Sequence, residues 1–197
     1  MGRTIRTTLI AGLILFLGVH SISNVAPGWR DRCVASLGEK TWQGLYALIA
    51  LIGLVLVVRG YGFARQMPMI VYVPPAWLRD TAIVLLAPVF PLLLAAYLPG
   101  KIRSTVRNNP MLVATKLWAL SHLLANGALA DVVLFGSFLA WGAFTRISLK
   151  FRTPRAIPTL PASDLNDVIA LVVGLAFYYA FIRGGHLLLI GMPASFI

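Results

Sequence analysis

Long apolar stretches recur along the chain and constrain its fold more than any other feature. Their predicted bounds are 5–23, 41–58, 80–98, 111–126, 131–149 and 165–182, with the last extending either to 182 or to 190. Each has about the 17–25 residues that cross a hydrocarbon core of roughly 30 Å as a helix. We therefore predict an all-α integral membrane protein, a bundle of about six transmembrane helices that forms a single domain over residues 1–197.

The composition agrees with a membrane location, because 59% of the residues are apolar and the mean hydropathy is +0.84. The first apolar stretch resembles a secretory signal, but polar residues 20–23 interrupt its cleavage region, so we expect a retained helix. Seventeen Lys and Arg against six Asp and Glu give a net charge of +11. These cations lie between the apolar stretches, which favours contact with the lipid bilayer over nucleic acid.

The distribution of basic residues predicts an orientation. The connections after the first, third and fifth helices hold Arg30, Arg32, Lys40, Lys101, Arg103, Arg107, Arg146, Lys150, Arg152 and Arg155. The opposite side holds Arg3, Arg6, Arg59, Arg65, Arg79 and Arg183. The positive-inside rule puts the larger group in the cytoplasm and both termini outside, although Arg3 and Arg6 argue the other way.

Prolines and glycines predict where the helices begin, bend and end. Residues 24–40 are predicted to be a polar connection with a turn at Pro27-Gly28, and the second helix to end at Arg59-Gly60. Pro88 and Pro91 should kink the third helix. Pro110 suits the first turn of the fourth helix, and Gly127 suits its C-terminal cap.

His122 lies well inside the fourth apolar stretch, where an ionisable side chain needs a partner or a purpose. Helical spacing groups it with Thr115, Trp118 and Asn126, and the Asn126 amide could fix which ring nitrogen carries the proton. Asp131, just across a tight hairpin, is a further expected partner. The alternative is that His122 only hydrogen-bonds to a neighbouring helix.

His20 lies near the end of the first helix, and spacing alone leaves it either an interfacial polar residue or a metal ligand. Two imidazoles from different helices can hold the iron of a haem in the apolar slot of a bundle. His20 and His122 are therefore our candidate haem ligands, with His186 in reserve.

Other kinds of site find no support in the sequence. Cys33 is the only cysteine, which excludes an internal disulfide and a cysteine-built metal centre. Carboxylate clusters for a di-iron bundle, glycine-rich phosphate loops and nucleophile motifs of soluble hydrolases are absent.

Several motifs closely resemble the NnrU family of membrane proteins. They are the run from Leu117 to Gly127, the segments Leu129-Ala130-Asp131 and Leu134 to Trp141, and the earlier motifs Gly18-Val19-His20-Ser21, Pro27-Gly28-Trp29-Arg30 and Trp42-Gln43-Gly44-Leu45-Tyr46. The resemblance covers most of the chain from His20 to Trp141.

This resemblance implies two functions. Bacterial NnrU proteins are associated with denitrification, through nitrite and nitric oxide reductase activity. A plant and algal relative, the 15-cis-ζ-carotene isomerase, is a haem b enzyme that isomerises a polyene double bond. By motif, His20 matches the first-helix histidine of the family and is the best haem-ligand candidate.

One position departs from the family pattern. The family usually has Arg-His-Pro before the fourth helix, whereas this chain has Arg107-Asn108-Asn109-Pro110. Asn109 thus replaces a histidine associated with haem ligation in the isomerase. Three alternatives follow: His122 supplies the second axial ligand, the iron is five-coordinate, or this chain has lost haem.

Three functions therefore compete. The first is a haem-binding accessory protein of nitrite and nitric oxide metabolism that contacts respiratory membrane proteins. The second is a haem b dependent cis-trans isomerase acting on an apolar polyene such as a carotenoid. The third is a structural membrane subunit without a cofactor.

Overall fold

The computed structural model describes residues 2–106, 109–152 and 158–192, and side chains from residue 7 onward within these ranges. Its helices are α1 Gly2–Val25, α2 Pro27–Leu37, α3 Glu39–Ala64, α4 Ala76–Leu86, α5 Val89–Ala95, α6 Lys101–Thr105, α7 Pro110–Ala125, α8 Leu129–Ser148, α9 Leu165–Ala180 and α10 His186–Ile190. Within the described ranges the only strand-like pairing is an isolated bridge between Ile70 and Ala128. The all-α prediction is confirmed. Predictions that involve Arg107, Asn108, Arg155 and the side chains of Arg3 and Arg6 lie outside what is described.

Several of the helices are long and apolar enough to cross a membrane. Five such spans are Thr7–Val25, Glu39–Ala64, Ala76–Ala95, Leu129–Ser148 and Leu165–Ile190. The predicted fourth span is the shorter apolar helix α7, of 16 residues. It ends at Ala125, so the prediction that this helix includes Asn126 is wrong. The protein is a multi-pass membrane protein.

The predicted connection 24–40 lies largely between two apolar spans, as expected, but the turn predicted at Pro27-Gly28 is wrong, because Pro27–Leu37 is helix α2. Pro27 occupies the first turn of α2 instead of a loop. Proline is favoured there because its fixed φ suits a helix and the first turn does not need its missing N–H. Gly38, with φ +82°, then makes the corner into α3.

The glycine at the predicted end of the second helix also has a different role. Helix α3 continues past Gly60 to Ala64, because Gly60 faces the backbone of α1. A Cβ at Gly60 would lie 2.5 Å from the Leu9 nitrogen. The same close approach occurs at Gly12 against Val57 and at Gly53 against Phe16. Small residues allow membrane helices to pack backbone to backbone in this way.

The prolines of the third span act largely as predicted. Pro88 separates α4 from α5, and Pro91 falls in the first turn of α5, where the backbone N–H groups have no partner within the helix. At the C-terminal end, α9 continues through a π-helical turn, Phe181–Gly185, into α10. The longer of the two predicted ends for the sixth helix is therefore correct.

The chain divides into two compact units. The first unit consists of Met1–Val73 and Asn126–Thr153 and holds α1, α2, α3 and α8. The second consists of Pro74–Ala125 and Pro154–Ile197 and holds the other helices. In the first, α1 packs on α3 and α8. In the second, α5 packs on α7 and α9, and α4 packs on α7.

Two polar residues at the start of α9 fix a loop of the second unit. The Asp167 carboxylate accepts the backbone N–H groups of Lys101 (2.7 Å) and Ile102 (3.0 Å) at the start of α6. The Asn166 amide donates to the carbonyls of Pro99 (2.8 Å) and Pro161 (3.0 Å). Because Asn166 is buried, with 6% of its surface exposed, these bonds are needed to offset its desolvation.

Candidate functional site

His20 is half-buried in the first unit, one turn before the end of α1. Its Nδ1 lies 2.7 Å from the carbonyl oxygen of Phe16. A carbonyl can only accept a hydrogen bond, so Nδ1 carries the proton and the Nε2 of the neutral ring carries the lone pair. A histidine that ligates a metal through one nitrogen commonly donates its other ring N–H to a carbonyl in this way.

Aromatic side chains from three helices surround the His20 ring. The ring centroids lie 4.3 Å from Phe16 on α1, 5.4 Å from Tyr46 on α3 and 6.3 Å from Trp141 on α8, the last with the two rings perpendicular. Phe138 on α8 adds to these aromatic contacts, with its ring centroid 5.8 Å from that of Phe16. The imidazole is therefore packed among aromatic side chains from three helices.

Hydrogen bonds hold Trp141 against α1. The indole N–H of Trp141 donates to Ser21 Oγ at 3.1 Å, and the Ser21 hydroxyl donates to the Leu17 carbonyl at 2.7 Å. His20 and the next residue along the chain thus both bond to the preceding turn of α1. These bonds hold the His20 and Trp141 side chains to α1.

A second polar group lies one turn farther along α1. The Asn24 amide donates to Thr145 Oγ1 at 2.9 Å, and its Oδ1 accepts from Arg152 Nη2 at 2.8 Å. Ser148 Oγ contacts the Asn24 carbonyl at 3.3 Å and accepts from Arg152 Nε at 3.2 Å. The C-terminal ends of α1 and α8 are joined by these bonds.

His122, in the second unit, has the same local arrangement as His20. Its Nδ1 lies 2.8 Å from the carbonyl oxygen of Trp118, one turn earlier on α7. The Trp118 ring centroid is 5.3 Å from that of the imidazole. The predicted pairing of Trp118 with His122 on one face of the helix is confirmed, and the ring is half-buried.

The other predicted partners of His122 make different contacts, within the first unit. The carbonyl of Asn126 accepts from the Tyr72 hydroxyl at 2.8 Å. Asp131 is 7% exposed, and its carboxylate accepts from the Tyr61 hydroxyl at 2.6 Å and from the backbone N–H of Ala128 at 3.0 Å. This second bond caps α8. Partial burial, followed by the charge of Asp131, raises the pKa of the Tyr72 phenol. These contacts lend no support to Asn126 and Asp131 as partners of His122, and that role stays a prediction.

Asn109 and His186 have backbone contacts in the second unit. The Asn109 carbonyl accepts from the Val113 N–H at 3.2 Å, so Asn109 precedes the first turn of α7 and Pro110 begins it, as predicted. His186 Nδ1 lies 2.6 Å from the Met192 carbonyl, and its ring is 5.5 Å from that of Phe181.

Gly127 does not have the conformation of the predicted C-terminal cap, and a close backbone contact explains the need for glycine at this position. Its φ is not positive, and a Cβ there would overlap the Tyr72 carbonyl oxygen. The Gly127 carbonyl in turn accepts the N–H groups of Val71 at 2.8 Å and Tyr72 at 3.2 Å. The turn before α8 is thus held against the segment that follows α3.

An apolar pocket of about 600 Å³ opens in the first unit, away from His20. It is lined by Leu9, Ile10, Phe63, Ala64, Met67, Pro68, Met69, Leu129, Ala130 and Val133. Leu9 and Ile10 precede His20 by ten or more residues of α1, which is roughly 15 Å along a helix. The pocket and the His20 ring are therefore at different depths.

The side chains present suit haem better than a bare metal ion. Within residues 2–106, 109–152 and 158–192, no three His, Cys, Asp or Glu side chains come together as a metal site. Haem needs only one or two axial ligands from the protein, and neutral imidazole is a common one. The His20 ring, with Nδ1 held by a carbonyl and aromatic rings beside it, fits that requirement.

Comparison with known proteins identifies the family of the chain. A family model described as NnrU protein matches residues 8–194. The chain belongs to the NnrU family. Neither a curated protein nor a solved structure matches it. The NnrU match extends over residues of both units and includes His20 and His122.

Sequence reasoning missed how this NnrU protein assembles the surroundings of His20. Tyr46 and Trp141 were noted only as parts of family-like motifs, and Arg152 only as a charge. Helical periodicity groups residues within one helix, whereas these three reach α1 from other elements. The signal that could have found Arg152 is Asn24, a polar side chain near the end of an apolar span that needs partners.

Proposed function

We propose that this NnrU-family protein is a haem-binding membrane protein in which His20 is an axial ligand through Nε2. The observation that supports this most directly is the 2.7 Å contact between His20 Nδ1 and the Phe16 carbonyl. It places the proton on the nitrogen that would face away from iron. It also fixes the direction in which Nε2 points from α1.

The residues around His20 have separate roles in this proposal. Phe16, Tyr46 and Trp141 supply apolar surface beside a porphyrin plane. Ser21 fixes the Trp141 ring through the indole N–H. Haem b, when bound, would supply a redox-active iron whose potential depends on its axial ligands and the polarity around it.

The family supports a role in nitrogen-oxide metabolism. We propose that the protein is an accessory to nitrite and nitric oxide reduction during denitrification, in the bacterial inner membrane beside respiratory membrane proteins. The support is membership of the NnrU family and the multi-pass helical structure. The cations at the predicted cytoplasmic ends of the helices favour that membrane and orientation.

An isomerase acting on a polyene is the second candidate, and the apolar pocket favours it. The pocket suits an apolar molecule, because ten apolar side chains line it. Its separation from His20 by roughly 15 Å of helix means that a substrate would have to be long and extended to contact both. Because of this requirement, we favour the accessory role over the isomerase.

The absorption spectrum of the protein purified from haem-supplied cells tests haem binding. We expect a Soret band that shifts on reduction, loses most of its intensity in His20→Gly, and recovers when imidazole is added to that variant. His186→Gly tests the histidine held in reserve as a ligand, and it should keep the band. His122→Gly, measured beside them, tests the sequence-based prediction of a second ligand.

Three results would contradict the proposals. A folded wild-type protein without a Soret band removes the haem proposal. A Soret band that survives His20→Gly unchanged removes His20 as the ligand. Conversion of a cis-ζ-carotene by the reduced, haem-loaded protein would replace the accessory role with the isomerase.

A further inference from the structure

Contacts between helices of the first unit place three helix ends together. Helices α1 and α3 are antiparallel, since Gly12 meets Val57 while Phe16 meets Gly53. Helices α1 and α8 run in the same direction, since Ser21 bonds to Trp141 and Asn24 to Thr145. The C-terminal ends of α1 and α8 and the N-terminal end of α3 therefore share one end of the unit, with α2 between α1 and α3. We call this the α2 end.

Basic side chains concentrate at the α2 end. It holds six cations and two acids, which are Arg30, Arg32, Lys40, Arg146, Lys150 and Arg152 against Asp31 and Glu39. At the opposite end, the side chains described beyond residue 6 include two cations, Arg59 and Arg65, and one acid, Asp131. The α2 end thus has the stronger attraction for anions.

Arg152 differs from the other cations at the α2 end because two neutral side chains hold its guanidinium in place. Its Nε donates to Ser148 Oγ and its Nη2 to Asn24 Oδ1, and the Asn24 amide is itself bonded to Thr145. These bonds use two of the five N–H donors of the group. Within the part of the chain that is described, no carboxylate pairs with Arg152, whereas Arg30 pairs with Asp31 at 3.2 Å.

The depth of Arg152 matches that of lipid headgroups. It follows α8 by a few residues, just beyond the end of a membrane span. Helix α2, at the same end, has no buried residue. Trp29 on α2 and Trp42 on α3 pack edge to face at 5.8 Å, and Trp29 is 48% exposed. Tryptophan is enriched where a membrane meets water.

We propose that the α2 end binds an anionic phospholipid, with the Arg152 guanidinium on the lipid phosphate. A planar guanidinium can give a phosphate two parallel hydrogen bonds, and the Asn24 and Ser148 contacts fix its plane beforehand. Charge complementarity selects an anionic lipid over a zwitterionic one, because the other cations at this end attract the additional negative charge. The proposal is independent of haem.

Native mass spectrometry of protein released from nanodiscs tests this proposal. The discs contain phosphatidylcholine alone or phosphatidylcholine mixed with phosphatidylglycerol. We expect wild-type protein to retain phosphatidylglycerol preferentially, and Arg152→Gln to weaken that retention on the order of tenfold, the usual effect of losing a charge-assisted hydrogen bond. Arg59→Gln removes one cation at the opposite end and should leave the retention of phosphatidylglycerol unchanged.

A second variant and a competitor complete the test. Arg152→Lys keeps the charge without the planar fork, so its retention of phosphatidylglycerol should lie between those of wild type and Arg152→Gln. If the Gln variant does not fold, Arg152→Lys should still retain less than wild type. Equal retention by wild type and Arg152→Lys overturns the role given to the guanidinium. Equal retention of the two lipids, or displacement of phosphatidylglycerol by millimolar inorganic phosphate, overturns the lipid assignment.

Discussion

Replacing Gly53 by alanine should separate α1 from α3. The new Cβ would lie 2.7 Å from the Phe16 nitrogen and 2.9 Å from its Cα. These are backbone atoms of a helix, so they cannot turn away as the end of a flexible side chain can. The closest distance must grow from 2.7 Å to at least 3.4 Å before the contact is an ordinary one.

The expected cost follows from two opposing effects. Overpacking of this kind costs about 1–3 kcal/mol. Alanine also raises the intrinsic stability of a helix by up to about 1 kcal/mol relative to glycine. Gly62 lies on the same helix with nothing within 4 Å of its Cβ position, so Gly62→Ala gains the second effect without the first. We expect the two variants to differ by about 1–3 kcal/mol in unfolding free energy.

Titration with a denaturing detergent, followed by circular dichroism and by tryptophan fluorescence, measures this difference. Gly53→Ala should unfold at a lower detergent fraction than wild type or Gly62→Ala. Phe16 lies 4.3 Å from the His20 ring, so displacement of α1 should also alter the environment of that histidine. Equal stability of Gly53→Ala and Gly62→Ala would refute the close packing of α1 on α3.

Two further predictions concern the surroundings of a carboxylate, one in each unit. Tyr61→Phe removes the hydroxyl that donates to Asp131 and should cost about 1–3 kcal/mol, and a double-mutant cycle with Asp131→Asn should show clear coupling; additive effects would contradict the bond. Gly100→Ala should destabilise the protein, because the new Cβ would meet the Asp167 carboxylate. Thermal unfolding should show that the same substitution costs much less in an Asp167→Ala background. Equal costs in the two backgrounds would contradict this contact.

Length and hydropathy predicted most of the helical architecture, because a span needs only enough apolar residues in a row. The proline effects at Pro88 and Pro110 followed from local backbone chemistry in the same way. Helix α2 was missed because Pro27-Gly28 is common both in turns and in the first turn of a helix. Sequence alone could not distinguish these two uses.

The surroundings of the candidate site depend on contacts between distant segments. Asp131 was expected beside His122 because they are close in the chain, yet its partner is Tyr61, 70 residues earlier. Trp141 reaches His20 because α8 packs on α1. The helical periodicity of residues within either helix does not encode this packing. Side-chain chemistry indicated which residues needed partners, and tertiary packing decided which partners they found.

The first unit is discontinuous in sequence, and this sets an order on its biogenesis. Ser21, which is next to His20, and Trp141, which packs near the His20 ring, are 120 residues apart. A ribosome adding about 5–20 residues per second needs roughly 6–24 s to make that interval. During that time the nascent chain already contains the histidine while its indole neighbour is still untranslated. The complete surroundings of His20 therefore form only after α8 has been inserted.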